Sequence, residues 1–376
     1  MVFNPVGSET GAAGVVARQP DESFPLNPMR RMGNLAVMKC FLGVLISLFV
    51  LVSLGPVRAD LINGQNYVSL IDWARANGLK PAWLTTGDKL VASDRDTRLV
   101  FEVDSAQAEI NGVEVRLSFP VAKVKGSPLV AQFDLDKSVR PLLYPSRYVK
   151  PQKITTICLD PGHGGKDTGN LVNWHKEKTY TLYLAYNLRD QLKQAGFNVI
   201  LTRTKDEFVE LPDRPAAANK RGADLFVSLH FNATGSGKAD VSGAETYCIT
   251  PVGASSSNAQ GEGRGSGATT ANRYENQSLL LAYEVQKSLG RNLGAADRGV
   301  RRARFAVLRD AAMPSILIEG GYMTHPVEGE KIYSATYRRQ MAAAIARGII
   351  AYQKLTAPPI APRNYTSKKT AGSGNN

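Results

Sequence analysis

Hydrophobic and polar positions change period partway along the chain. Over residues 61–147 they alternate in short runs broken by turn signals, Ile62-Asn63-Gly64, Ser93-Asp94-Arg95-Asp96 and Ile110-Asn111-Gly112. A period of two turns one face of a strand to a core, and Asn-Gly between apolar runs favours a tight hairpin because both central positions tolerate positive φ. The pattern predicts a small β-rich module: an extended run at 67–70 entering a short helix over 71–77, then strands over 89–92, 98–103, 108–110 and 113–117. From residue 154 onward, strands alternate with amphipathic helices, the arrangement of an α/β sheet covered by helices. Strands are expected over 156–160, 198–202, 225–230, 245–249 and 315–319. A helix over 179–195 places Leu182, Ala185, Leu188 and Leu192 on one face, and 278–293 and 336–352 are patterned alike. The expected fold class is α/β, a mostly parallel twisted sheet covered by helices, preceded by a small β-rich domain.

Three segments depart from these periods. Residues 40–54 are almost wholly apolar, preceded by Arg30, Arg31 and Lys39 and followed by Val57-Arg58-Ala59, a small-x-small end. This is the layout of a signal peptide, and the run is shorter than the ~20 residues a membrane-spanning helix needs. An uncleaved anchor is the alternative, and Met29, Met32 and Met38 are alternative starts. Residues 251–276 are rich in Gly, Ser and Asn and read as a long loop near the site, in the position of a lid. Residues 357–376 read as a disordered tail. The expected division is 1–59 extension and signal peptide, 60–149 β-rich module, 150–356 catalytic domain and 357–376 tail.

Composition sharpens the picture in two places. The formal charge of +13 favours polyanionic partners. The basic residues are scattered, without interleaved aromatics, so a solvated basic face is expected and nucleic acid is not. Of three cysteines, Cys40 would leave with the signal, while Cys158 and Cys248 lie in apolar runs that suit buried thiols better than a bridge.

The candidate chemistry gathers where strands end. His163 follows the first strand of the α/β region in Asp160-Pro161-Gly162-His163-Gly164-Gly165, and His230 closes the strand over 225–230. Ligands collect at the carboxyl edge of such sheets, and the flanking glycines let the backbone present the His163 imidazole without an obstructing Cβ. Glu177 opens the helix that follows, and Glu319 ends the last apolar run, where an acid is costly to desolvate without a partner. Two imidazoles and a carboxylate suit a zinc ion with one open position, and a second carboxylate can then move protons. His175 and His325 lie in polar or turn contexts and are poorer ligands. Residues 61–147 contain neither His nor Cys, so the module is expected to bind or to space rather than to catalyse.

Asp160-Pro161-Gly162-His163-Gly164-Gly165-Lys166-Asp167-x-Gly169, then Glu177-Lys178, Leu201-Thr202-Arg203, Arg214 with Ala218-Asn219, residues 223–233 around His230, and Pro314-Ser315-Ile316-Leu317-Ile318-Glu319-Gly320-Gly321 stand in the order seen in zinc-dependent N-acetylmuramoyl-L-alanine amidases. Over residues 154–355 the chain resembles their catalytic domain. The resemblance implies Zn2+ held by His163, Glu177 and His230, with Glu319 as the catalytic acid and base, Arg203 and Arg214 as supporting residues, and hydrolysis of the amide between N-acetylmuramic acid and L-alanine in peptidoglycan. The implied location is periplasmic or extracellular, with the membrane met only through the signal segment during export; an activator, if one is used, is not identified. Two alternatives are a zinc peptidase acting within the stem peptide and a non-catalytic wall-binding protein on the same scaffold. The module also resembles the small domain at the N-terminus of copper amine oxidases, on its Asn-Gly turns and its Val-Ser-Leu and Phe-Pro-Val pieces.

Overall fold

The computed structural model describes residues 59–235, 240–257 and 267–359. The expected signal peptide, the tail from residue 360 and the middle of the 251–276 loop lie outside the described residues.

The first part is built from hairpins. Strands β1 (Ala59–Ile62), β2 (Gln65–Ser69), β3 (Lys80–Thr85), β4 (Lys89–Ser93), β5 (Arg98–Glu102), β6 (Gln107–Ile110), β7 (Val113–Arg116), β8 (Ala122–Val124) and β9 (Ser127–Ala131) follow one another, with the helix Leu70–Ala76 after β2. Ser69 caps that helix by accepting from the Asp72 amide at 3.2 Å. The alternation read from the sequence is realised: Leu90 and Ala92, Leu99 and Phe101, Ala108 and Ile110, and Val113 and Val115 are buried on one face, with the half-buried Val91, Val100, Glu109 and Glu114 on the other. Asn63-Gly64 and Asn111-Gly112 make the predicted turns with positive φ at both positions. Short helical turns between 132 and 148 lead out of the module; their mixed pattern carried no clear period in the sequence.

The second part contains β10 (Thr156–Pro161), a small hairpin of β11 (Leu171–Val172) and β12 (His175–Lys176), then β13 (Asn198–Leu201), β14 (Leu225–Asn232), β15 (Ala244–Ile249), β16 (Asp297–Ala303) and β17 (Ser315–Tyr322). Three long helices, Glu177–Gln194, Glu275–Leu293 and Ala335–Thr356, pack with one face of the sheet against Ile157, Leu159, Val227, Leu229, Ile316 and Ile318. Cys158, Phe226 and Leu317 point to the other face, covered by shorter elements carrying Ala218, Val307 and Leu308. Because both faces are covered, β10, β14 and β17 read as nearly unbroken apolar runs. Cys158 and Cys248 are buried free thiols.

One sheet of eleven strands runs through both parts in the order β13-β10-β14-β17-β15-β16-β7-β6-β5-β4-β3. The expected mostly parallel sheet is instead mixed. Strands β13, β10, β14 and β17 are mutually parallel, β15 runs antiparallel to β17, β16 and β7 follow β15 in parallel, and β7 to β3 form an antiparallel meander. The reversal at β15 has a local cause. Among the described residues no helix stands between β14 and β15, which are only eleven residues apart, and a crossover long enough to restore parallel direction takes about a dozen or more. Strand β16, Asp-Arg-Gly-Val-Arg-Arg-Ala, joins the parts by pairing Val300 with Val115, and the Glu114 amide donates to Asp297 Oδ2 at 2.9 Å. Its three arginines hid it from a reading by hydropathy. Leu90, Leu99 and Ile110 share one apolar cluster with Leu225, Leu279 and Ile345, so the core is continuous across the join.

Candidate functional site

The carboxyl ends of β10, β14 and β17 and the start of the helix Glu177–Gln194 converge on His163, Glu177, His230 and Glu319. His163 follows β10 with φ 61°, a conformation reached in a turn flanked by Gly162, Gly164 and Gly165. A Cβ on Gly162 would stand 2.3–2.7 Å from the His230 ring, and one on Gly169 would stand 2.6 Å from both Glu177 Oε2 and His163 Cδ2. Only glycine leaves room for the two imidazoles at these points. His230 lies just before an irregularity in the β14–β17 pairing and sits in register with Glu319. The two imidazole rings meet edge to face with centroids 4.9 Å apart.

Glu177 is buried between them. Its Oε2 is 3.1 Å from His163 Nε2 and its Oε1 3.0 Å from His230 Nδ1. The Phe231 amide donates to Oε1 at 3.0 Å, and the Asn170 amide and side chain donate to Oε2 at 2.9 and 3.0 Å. Burial works to raise the Glu177 carboxyl, but the hydrogen bonds from His163 and His230 outweigh it and hold the group well below the usual carboxylate range. His163 is steadied from behind by Asp167, whose Oδ2 is 2.8 Å from Nδ1 and whose Oδ1 accepts from the Gly169 amide. That contact turns Nε2 toward Glu177.

A second layer fixes the turn that carries His163. Arg203 and Arg214 are almost completely buried. Arg203 donates to the carbonyls of Pro161, Gly162 and Lys178, and Arg214 to those of Val209, Pro161 and His163. Arg214 also pairs with Asp160 at 2.9 Å, whose carboxylate takes two further bonds from Thr202 and Ser228. Buried carbonyls and charges are thus paired rather than left unmet.

Glu319 stands differently. Its Oε2 is sealed from solvent and has no hydrogen-bond partner among the described residues. Burial, and then the charges of Glu177 and Glu245, push this carboxyl well above the usual range. Across the antiparallel pairing it faces Glu245, whose carboxylate is held by Arg301 at 2.8 Å, Arg298 at 3.3 Å, Tyr247 and Asn232. Read from the sequence, Glu245 and Asn170 have no role, and Asp160 and Asp167 stand only as members of the motif around His163. The reasoning that found Glu319, an acid in an apolar strand, applies equally to Glu245 and Asp160.

The residues present fit a zinc ion. One ligand atom each from His163, Glu177 and His230 lie within 4.8 Å of one another, and no other such group occurs among the described residues. Ligand atoms on a tetrahedron with bonds of ~2.0–2.1 Å stand roughly 3.3 Å apart, close to the contacts above. The other two histidines are engaged elsewhere. His175 hydrogen-bonds the Tyr180 hydroxyl and stacks on Tyr333, while His325 accepts from the Val327 and Glu328 amides at the head of the helix Pro326–Tyr333.

The model of the N-acetylmuramoyl-L-alanine amidase family matches residues 157–351. The uncharacterized protein YqiI of Bacillus subtilis is 36% identical over 203 residues, covering 54% of this chain and 87% of that one. The N-acetylmuramoyl-L-alanine amidase AmiA of Escherichia coli is 35% identical over 219 residues, covering 52% and 75%. The solved structure of the amidase AmiC2 of Nostoc punctiforme is 35% identical, covers 53% of this chain and 97% of that one, and has a TM-score of 0.45. By the match over more than half of its length, this chain belongs to the N-acetylmuramoyl-L-alanine amidase family.

Proposed function

We propose that the chain hydrolyses the amide between N-acetylmuramic acid and L-alanine in peptidoglycan with a zinc ion held by His163, Glu177 and His230 and with Glu319 as proton carrier. Hydrolysis of that bond is the activity its family membership assigns. The observation that carries the finer reading is the His-Glu-His group lying one strand pairing away from Glu319, whose Oε2 is sealed from solvent and has no hydrogen-bond partner among the described residues.

When bound, zinc supplies Lewis acidity, lowering the pKa of water and polarising the scissile carbonyl. Glu177, held as the anion, contributes the negative charge of the donor set, and Asp167 fixes the tautomer of His163. Arg203 and Arg214 hold the Pro161–His163 carbonyls, so the His163 imidazole keeps its place. Glu319 takes a proton from the attacking water as the C–O bond forms. It returns that proton to the L-alanine nitrogen as the C–N bond breaks, so the stem peptide leaves as an amine. The orphaned Oε2 is suited to this work because no competing hydrogen bond ties it down.

Residues 60–149 serve in this reading as a positioning module and 150–356 as the catalytic domain. Residues 1–59 direct export, and the enzyme acts on peptidoglycan in the periplasm or outside the cell. Digestion of purified peptidoglycan by the mature protein, with and without added zinc, tests the proposal by mass spectrometry. Stem peptides with a free L-alanine amine, formed only with zinc, are the expected products. Peptides cut internally, with L-alanine still joined to the sugar, would overturn it.

A further inference from the structure

Four two-residue hairpin turns share one backbone shape. They lie between β1 and β2, β6 and β7, β8 and β9, and β11 and β12, and both central residues of each have positive φ: 49° and 75°, 49° and 81°, 49° and 81°, and 46° and 71°. In three of them the second position is Gly64, Gly112 or Gly126. In the fourth it is Trp174. Glycine takes this conformation without steric cost, whereas a bulky L side chain there is strained.

The indole gains nothing from the fold in return. Trp174 is 92% exposed, while Trp73 is 3% exposed and Trp83 is partly buried against the core. A side chain that is both strained and left in water opposes two preferences of folding at once, and backbone strain of this kind clusters at active sites and ligand clamps. Its base is rigid. The next residue, His175, lies flat on Tyr333 with centroids 3.6 Å apart and planes 12° apart, and Arg338 covers Tyr180 beside it. The backbone at the base of the ring is therefore held, so that on binding only the indole's own torsions are left to be ordered.

Position identifies the ligand. Trp174 precedes Glu177 by three residues, which span at most ~11 Å of chain. In the substrate of the proposed reaction, the sugar ring is joined through a short lactyl ether to the carbonyl that is cut. A group this near the His-Glu-His cluster thus meets the glycan before it meets the far end of a stem peptide. The C–H face of a pyranose ring complements the electron-rich face of an indole.

We propose that Trp174 is a stacking platform for a sugar ring of the glycan strand beside the cut bond. The proposal rests on the amidase reading above, and its test separates the two. Peptide-free oligomers of N-acetylglucosamine and N-acetylmuramic acid are added to the full, zinc-loaded chain while tryptophan emission is recorded. The expected result is a blue shift in the wild type that is absent from Trp174→Gly. The same substitution removes the strained side chain, so it should raise Tm while raising KM on peptidoglycan by about tenfold, the scale of one good aromatic contact, with kcat nearly unchanged. Trp174→Tyr should recover part of the lost affinity. A wild-type KM in Trp174→Gly would overturn the proposal, and so would unchanged emission with glycan, including the case in which only anionic lipid vesicles shift it. A wild type that shifts its emission with glycan but releases no stem peptide would leave the platform standing and remove the amidase reading.

Discussion

The two halves of the eleven-stranded sheet use the same hydrogen-bonded lattice to opposite ends. From β3 to β7 each strand turns straight back through a short connection, and the polar residues at the turns are spent on the turns themselves, as when Asp94 accepts from the Asp96 and Thr97 amides. In β10, β14 and β17 the strands run the same way, and each leaves the sheet at one edge through a longer connection. Side chains from chain positions as far apart as His163 and Glu319 are brought to that edge together. Hairpins satisfy their neighbours, whereas parallel strands with crossovers collect residues from the whole chain, which is why the histidines and the orphaned acid lie in one half only.

The sharpest way to break the comparison is to separate the halves. A chain starting at residue 150 would leave β16 without its β7 partner, deprive the Tyr283 hydroxyl of the Ile110 carbonyl and expose part of a shared core. We expect loss of cooperative unfolding and aggregation, read by circular dichroism and gel filtration; a monomer with wild-type Tm would show that the halves are energetically independent. Next in size is Arg214→Ala, which takes the cation from the buried Asp160 carboxylate and one donor from each of three backbone carbonyls. Breaking such a pair from one side costs about 3–5 kcal/mol, measurable as a fall in the urea midpoint.

Glu319→Gln should lower kcat by about a hundredfold or more, the scale of a lost general base, while zinc content stays at that of the wild type. Stability should hold or rise, since the variant removes the acid whose Oε2 is sealed from solvent without a partner among the described residues. His230→Ala is its counterpart and should lose the metal itself; a Glu319→Gln protein that lost zinc would reverse the roles given to these residues. The smallest effect is expected in the hairpin half. Gly112→Ala meets no atom within 4 Å, so only its φ of +81° resists the methyl group, at a cost of about 1 kcal/mol in Tm-derived stability with unchanged turnover.

Much of this was legible before the structure. Alternation located β4 to β7 to within a residue or two, because each buries one face, and helical periodicity located the three long helices, although Glu275–Leu293 is buried on every side from Gln277 to Gln286. That His163, Glu177, His230 and Glu319 come together was legible because a glycine-flanked histidine, a second histidine closing an apolar run and an acid closing another are locally unfavourable without a shared purpose. What escaped depended on distant partners. Strand β16 looks like a basic loop until Glu245 neutralises Arg298 and Arg301 and Arg302 reaches the carbonyls of Ile249 and Lys137. The direction of β15 depends on where its loop returns, which no local period encodes. Trp174 carries no local signal, because nothing in its neighbours announces a turn usually made with glycine.

The place of β17 also sets a clock. It is the last strand of the described residues in sequence, yet it lies between β14 and β15 in the middle of the sheet, and it carries Glu319. A chain that emerges from its N-terminus threads the hairpin half and both histidines out first and must hold a gap open for a strand still to come. Pairings across such long separations form late. Until β17 has emerged and paired, the sheet edge that carries His163 and His230 lacks Glu319, so the fold itself withholds the complete group of four side chains until this late strand is in place.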